Sequence, residues 1–572
     1  MIVAGTCQGN ATVVVLVHDM QGEPEPGLEA TVFSALRQLG VPFMVTGTLQ
    51  KTDSFDYSQH PLLMVPQGAT LSWLSTQEER EMEEAVRQGM GLLLYEQEAD
   101  LLPAWIKKLF QYQGQSALPV QFSEIHTVDN SHFICWNRWL DEVVHSDKPL
   151  TCATGLTGQD KTALKTESGE SLLHTAILGK GRVVLFPFSV DLYAMDYLGH
   201  ACGADDVFFR SIIWGARKPF LTWSMSAKAG LGIDDCSGSY DHFGYLKVMA
   251  RHGWKPYLAV FTDTIDEVAH EDIHKAQRVL HDGWLDGSLD IGFHALRYNE
   301  SFCFNHLERR PLTKGELDDR FARWDAYEKA WGIKASPWAH PHFGEISAAA
   351  IPYYERRGIR FLTYLLPLDA AWFDVPSRIP PLENLPPYGH GGYYQLALPG
   401  APSIMACNCV LDNKNRKSSD YVVRTDYLWG HTPFWAEAQE PMLEASARVL
   451  AQQIRRGLDS GFYGEGATHE QRVASLRPGE LEEIFQEADN LLARYTMERC
   501  TITEALGVAR QRLHSALLSA SYGESAQNVV CAFSNTEAIG TEIQLHTRSD
   551  GGSKPIRRIV DERQVVFDQT SD

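Results

Sequence analysis

The feature that most constrains this chain is a series of short apolar runs, each closing on side chains that can bind metal or move protons. Leu231-Gly232-Ile233 runs into Asp234-Asp235, and Leu289–Phe293 closes on His294. Ala335–Ala339 leads into His340-Pro341-His342, and Gly461–Tyr463 leads on to His469. Tyr257–Phe261, Ile359–Tyr364 and Ser403–Cys407 read as further strands. Between them, Asp266–His281, Lys314–Trp331, Ile346–Arg357 and Pro441–Arg456 place apolar residues at helical spacing. Strands and helices alternating over ~250 residues predict a (β/α) barrel or a distorted relative. In parallel α/β architectures the carboxyl ends of the strands meet at one rim, so residues distant in sequence can share a site.

The first 220 residues show a second α/β series. Thr12–Val17, Leu62–Val65, Gly91–Tyr95 and Arg182–Phe188 read as strands, with Glu29–Gly40 and Thr76–Gly89 as helices. This predicts an open, mostly parallel sheet over 1–222. The barrel then spans 223–510, with an insertion rich in Pro, Gly and aromatics at 365–435 over its mouth. Past 510, Val529–Phe533, Thr541–Leu545 and Val565–Phe567 alternate as short strands, which predicts a small β unit over 511–572. The chain is therefore read as α/β, in three parts with no internal repeat.

At 572 residues the chain exceeds one hydrophobic core. Its formal net charge of −22, spread along the sequence, repels phosphate backbones and argues against a nucleic-acid partner. No stretch reaches the ~18 apolar residues of a membrane span. Met1–Asn10 carries no Lys or Arg, so the expectation is a cytoplasmic chain, or an extracellular one if a leader has been removed. The ten cysteines are scattered, which is not a disulfide framework, and Cys407-Asn408-Cys409 reads as buried thiols in a strand.

Each candidate site residue has a plain structural reading. Asp234-Asp235 could be a turn or helix cap, and such a pair is more often structural than catalytic when taken alone. Adjacent carboxylates at a strand end nevertheless repel unless a cation absorbs their charge. One could hold a divalent ion while the other serves as a base. His294 suits a metal ligand, although a lone strand-end histidine is by default a core one. His340 and His342 share one side if the backbone is extended, as Pro341 favours. His469, beside Glu470 and after Gly464-Glu465-Gly466, is equally well a plain loop residue. Together, two aspartates and four histidines on successive strand ends supply what a hydrolase using a Zn²⁺-type ion requires: N/O ligands, a base and an acid.

The order of these motifs resembles the polysaccharide deacetylase (NodB-homology) superfamily, over about half the chain. The resemblance implies a distorted (β/α) barrel and metal-dependent removal of N- or O-acetyl groups from sugars. It implies Asp234 as base, Asp235 and His294 as metal ligands, and His469 as general acid. The family's Arg-Pro-Pro-Tyr-Gly turn appears as His340-Pro341-His342-Phe343-Gly344, and Cys500–Leu506 resembles its closing segment. Its second motif carries another histidine four residues after the first, where this chain has Tyr298. A further ligand is therefore expected from His342 or His340. The region 1–222 is similar in pattern to glutamine-amidotransferase-like domains, but Tyr95-Glu96-Gln97 stands where their nucleophilic cysteine belongs. This implies a silent domain serving in oligomerisation or docking.

The expected function is a metal-dependent carbohydrate deacetylase with a divalent cofactor of the zinc type. Arg297, Trp338, Tyr388 and His390 are candidate sugar contacts, as are Trp372, Tyr393, Tyr394, Trp429 and Trp435, with about half of such aromatics expected in the core. Arg297 is at least as well read as a surface ion pair. A glycoside hydrolase on the same barrel would use Asp234 or Asp235 with Glu345 or Glu465. A glycan-binding protein with a degraded site is the third reading.

Overall fold

Every strand read in the first 220 residues is buried along its whole length, which requires helices or other layers on both faces. In a computed structural model, β1 (Val13–Val17), β2 (Phe43–Gly47), β3 (Leu62–Val65), β4 (Gly91–Tyr95), β5 (His174–Leu178) and β6 (Gly181–Phe186) form one sheet. Its order is β2-β1-β3-β4-β6-β5, with β5 alone antiparallel to its neighbour. The structure describes residues 8–18, 26–47, 56–114, 118–194, 196–200, 202–216, 219–223, 225–238, 241–267, 273–308, 310–342, 346–363, 395–398, 401–407, 443–513, 515–522, 528–534, 540–546, 556–560 and 564–568.

The chain divides into two compact units, residues 1–225 with 514–572, and residues 226–513. The three-part division expected from sequence is corrected on one point: the strands after 510 belong to the first unit. Glu542–His546 pairs antiparallel with Phe220–Thr222, and Trp223 Nε1 donates to Thr541 Oγ1 at 2.7 Å. Leu221, Trp223, Val529, Cys531, Ile543 and Leu545 share one core. Gly40 closes the helix Ser34–Leu39 at φ 68°, and a Cβ there would meet the Trp223 carbonyl at 2.0 Å, so only glycine fits. The middle of this unit adds a three-stranded sheet of Val120–Thr127, Val143–Cys152 and Leu164–Lys165.

Just past the end of β4, Glu96 is buried. It accepts backbone N–H groups of Ala69 at 2.7 Å and Glu98 at 2.9 Å. Burial raises its carboxyl above the usual range. His174 on β5 is buried too, and burial alone lowers it to about 4. The unfolded chain then binds this proton near pH 6.5 and the folded chain only near 4. Stability is therefore expected to fall by about 3 kcal/mol as pH drops across that window. Denaturant midpoints measured from pH 7 to 4 should show this loss reduced in His174→Leu; an unchanged pH profile in that variant would assign the loss to other groups.

The second unit holds β7 (Lys228–Cys236), β8 (Tyr257–Phe261), β9 (Asp290–Arg297), β10 (Trp338–Ala339), β11 (Phe361–Thr363), β12 (Gln395–Leu398), β13 (Ala401–Cys407) and β14 (Gly464–His469). One parallel sheet runs β9-β8-β7-β14, with the short strand Glu300–Ser301 antiparallel on β9. A second runs β10-β11-β13-β12, its first three strands parallel. Ser336 N donates to Ile291 O at 2.8 Å, linking the segment before β10 to β9. Among the described residues no ladder closes the two sheets into a barrel, so the observed class is mixed α/β. Helix Lys314–Trp331 begins on a Thr313–Glu316 capping box and ends at Gly332 with φ 66°. It packs Trp324 and Trp331 on Phe293 of β9. Much of the expected insertion 365–435, with Cys409, lies outside the described residues. No described helix is long and apolar enough to cross a membrane.

Candidate metal centre

The carboxyl ends of β7, β9, β10 and β14 bring Asp234, Asp235, His294, His340, His342 and His469 to one place. In β7 the register against β8 slips between Ile233 and Cys236, so the strand carries an extra residue there. Asp235 takes a left-handed φ of 53° in this bulge, an uncommon conformation for a non-glycine residue. Its N–H donates to Asp234 Oδ1 at 2.8 Å. The bulge lets two successive carboxylates face one cluster, which ordinary strand alternation forbids.

His294 is wholly buried, and its Nδ1 lies 2.6 Å from the His340 carbonyl, so Nδ1 carries the proton. Nε2 is thereby turned toward Asp234 Oδ1 at 3.2 Å, Asp235 Oδ1 at 3.5 Å and His342 Nδ1 at 2.6 Å. His342 Nδ1 is 3.6 Å from Asp235 Oδ1, and His340 Nε2 is 3.7 Å from Asp234 Oδ2. His469 Nε2 faces both carboxylates, at 3.9 Å from Asp234 Oδ2 and 3.7 Å from Asp235 Oδ2. Asp234 and His469 are the open members, with side chains 22% and 20% exposed.

These separations suit a cation. Tetrahedral N/O ligands at 2.0–2.2 Å lie about 3.4 Å apart, close to the distances from Asp235 Oδ1 to both His294 and His342. Asp235 Oδ1 is buried and, among the described residues, has only longer contacts to His294 and His342, at 3.5 and 3.6 Å. The His294 Nε2–His342 Nδ1 separation of 2.6 Å is that of a hydrogen bond, shorter than the spacing of two tetrahedral ligands. The second-sphere bond from His294 Nδ1 to a backbone carbonyl is what metal-bound histidines use to fix their tautomer.

The electrostatics divide the two carboxylates. Burial raises Asp234, with Asp235 beside it adding to the rise against the pull of His294. Burial acts on Asp235 too, but His294, His469 and His342 outweigh it and hold its carboxyl well below the usual range. Burial lowers His294, yet Asp234 and Asp235 overcome that and raise it. Burial and the neighbouring His294 lower His340 well below its ordinary value and bring His342 to about 3.

The expected sugar contacts fare differently. Trp338 is corrected: only 1% exposed, it packs edge-on against Tyr257, with centroids 4.6 Å apart, and is a core side chain. A Cβ on Gly292 would meet its ring at 2.5 Å, so the glycine in β9 makes room for it. Arg297 is also corrected. Its Nε bonds Asp263 Oδ2 at 3.1 Å, and the same carboxylate is shared with Arg323 and Tyr327 of helix Lys314–Trp331. It thus lies on the side of β9 where Phe293 meets that helix, in an ion pair. Tyr388 and His390 lie outside the described residues, as do Trp372, Tyr393, Tyr394, Trp429, Trp435 and Glu345. Tyr298, four residues after His294, sets its ring 5.3 Å from that of His342. Glu465 is buried within β14.

One residue with a large part in this geometry carried little signal in the sequence. Glu470, directly after His469, is wholly buried and accepts Ser237 N at 2.6 Å, Ser237 Oγ at 2.9 Å and Gly238 N at 3.1 Å. Burial, against these bonds, raises its carboxyl to about 7.

No protein-family model matches the chain, and no curated protein matches it. Solved structures similar to it include a candidate polysaccharide deacetylase from Mycobacterium smegmatis, 11% identical, covering 50% of this chain and 92% of that one at TM-score 0.35. A family 4 carbohydrate esterase from Streptomyces lividans, in complex with acetate, is 12% identical over 49% of this chain and 93% of its own, at TM-score 0.26. A CE4 family pseudoenzyme from Bacillus anthracis is 12% identical over 49% and 66%, at TM-score 0.27. At such TM-scores the likeness carries no argument about this chain, and the case rests on its own residues.

Proposed function

We propose that the second unit is a metal-dependent hydrolase that removes acetyl groups from a carbohydrate. The observation that carries this reading is the convergence of two aspartates and four histidines on one rim, with ligand atoms in overlapping groups of three spanning no more than 4.8 Å. Asp235, His294 and His342 are the proposed ligands, and His340 stands beside them as a fourth candidate. A divalent ion of the zinc type held there supplies Lewis acidity toward an acyl carbonyl and lowers the pKa of water.

The chain's own residues do the rest. Asp234, raised by burial and open to the mouth, takes the proton from the attacking water. His294 stays in one tautomer because its Nδ1–H is committed to the His340 carbonyl. His469, whose Nε2 faces both carboxylates, gives a proton to the departing amine or alkoxide. The buried faces of His294, His340 and His342 keep bulk water from the cluster's rear.

Elemental analysis of the purified protein is the test. One equivalent of zinc or a similar ion in the wild type, lost in His294→Ala, with acetate released from an acetylated glycan by the wild type alone, is the expected result. A wild type that takes up no ion when zinc is added would overturn the reading. Release of free sugars without acetate would redirect it to glycosidic cleavage.

A further inference from the structure

We infer that Glu470 is a positioning residue that holds the strained Asp234–Asp235 bulge in the shape the metal centre needs; this rests on the reading just given. The pieces lie far apart in sequence. Glu470 begins the short helix after β14, and Ser237 and Gly238 close the bulge on β7, 233 and 232 residues away. Its Oε2 gathers two backbone N–H groups and one hydroxyl from this turn, and Tyr245 OH donates to Oε1 at 3.4 Å.

The turn needs such a clamp. Asp235 and Gly238 both have positive φ, 53° and 66°. A strained backbone persists only where its surroundings over-determine it. Without Glu470 the Ser237 and Gly238 N–H groups would lose the carboxylate that gathers them, and the bulge would relax toward a regular strand. That relaxation would turn one aspartate away from the cluster, because successive strand residues face opposite sides. The neighbouring Asp234↔His469 register ties the same clamp to the proposed acid. Glu470 touches none of the reacting atoms and acts through the groups it holds.

Three variants of the full chain separate this role from others. Glu470→Gln keeps a carbonyl oxygen for Ser237 and Gly238 and can turn its amide toward Tyr245 OH. Glu470→Asp is one methylene too short to reach them, and Glu470→Ala removes the acceptor. Zinc affinity is measured by calorimetry on the apo-protein, and kcat and KM are measured on an acetylated glucosamine oligomer. Denaturant unfolding of each apo-protein checks the fold. Glu470→Asp is expected to fold, to bind zinc ~10–100-fold more weakly, as loss of an outer-shell support does, and to lose kcat with KM little changed. Glu470→Gln is expected to stay near the wild type in both measurements. A folded Glu470→Asp with wild-type zinc affinity and kcat would overturn the inference. So would a Glu470→Gln variant as impaired as the aspartate, since the charge itself would then be in use. If the wild type binds no zinc, the functional reading fails first, and this inference falls with it.

Discussion

His342→Ala is expected to release the bound ion and to lower acetate turnover by more than ~100-fold, since even outer-shell losses at metal sites cost 10–100-fold. The reasoning is geometric. His342 Nδ1 is 2.6 Å from His294 Nε2 and 3.6 Å from Asp235 Oδ1, which places it in the deepest of the three ligand groups. Removing it leaves Asp235 and His294 with only the fourth candidate, His340, beside them, and breaks the deepest of the three groups. His340→Ala is the control, because His340 Nε2 meets Asp234 rather than Asp235. Its zinc content is expected to exceed that of His342→Ala. Equal and full zinc in both variants would move the third ligand elsewhere and sink the Asp235–His294–His342 assignment.

Trp338→Ala is expected to destabilise the second unit by about 3–5 kcal/mol, the usual result of emptying a core tryptophan site. The ring fills the space over Gly292 and meets Tyr257 edge-on, so its loss opens a void that neither strand can close. Denaturant unfolding measures this directly. A sugar platform would behave in the opposite way: KM for the glycan would rise while the unfolding midpoint held. That second pattern would show that the ring is reached by substrate and would refute its place in the core.

How much was legible in the sequence depends on how local each signal is. The strand-end aspartates and histidines could be read because an apolar run that stops at a chemical side chain is a pattern within a few residues. Their convergence followed from the rule that parallel strands share a rim. Trp338 was misread because a count of aromatics near a predicted mouth does not say which way a ring points. Arg297 was misread because its partner, Asp263, lies 34 residues away on another element, and the register slip after Phe293 breaks the alternation that would otherwise tell which side it faces. Glu470 was passed over because its partners are backbone N–H groups on another strand, which leave no residue-type signature. The strands after 510 were read as strands but set apart wrongly, since their pairing with Phe220–Thr222 is a contact between distant parts of the chain.

That distant pairing sets an order of events on the ribosome. Trp223 waits for Thr541, 318 residues downstream, before its indole N–H finds its partner. At 5–20 residues per second the delay is roughly 15–60 s. Throughout it the strand Phe220–Thr222 presents an unpaired edge, and the face shared by Leu221 and Trp223 stays uncovered. The whole of the second unit is synthesised during that wait. The nascent protein therefore has its whole second unit synthesised before it can finish the unit it began with, and a chain stalled before residue 540 would expose a sticky sheet edge to chaperones while already carrying every residue of the proposed site.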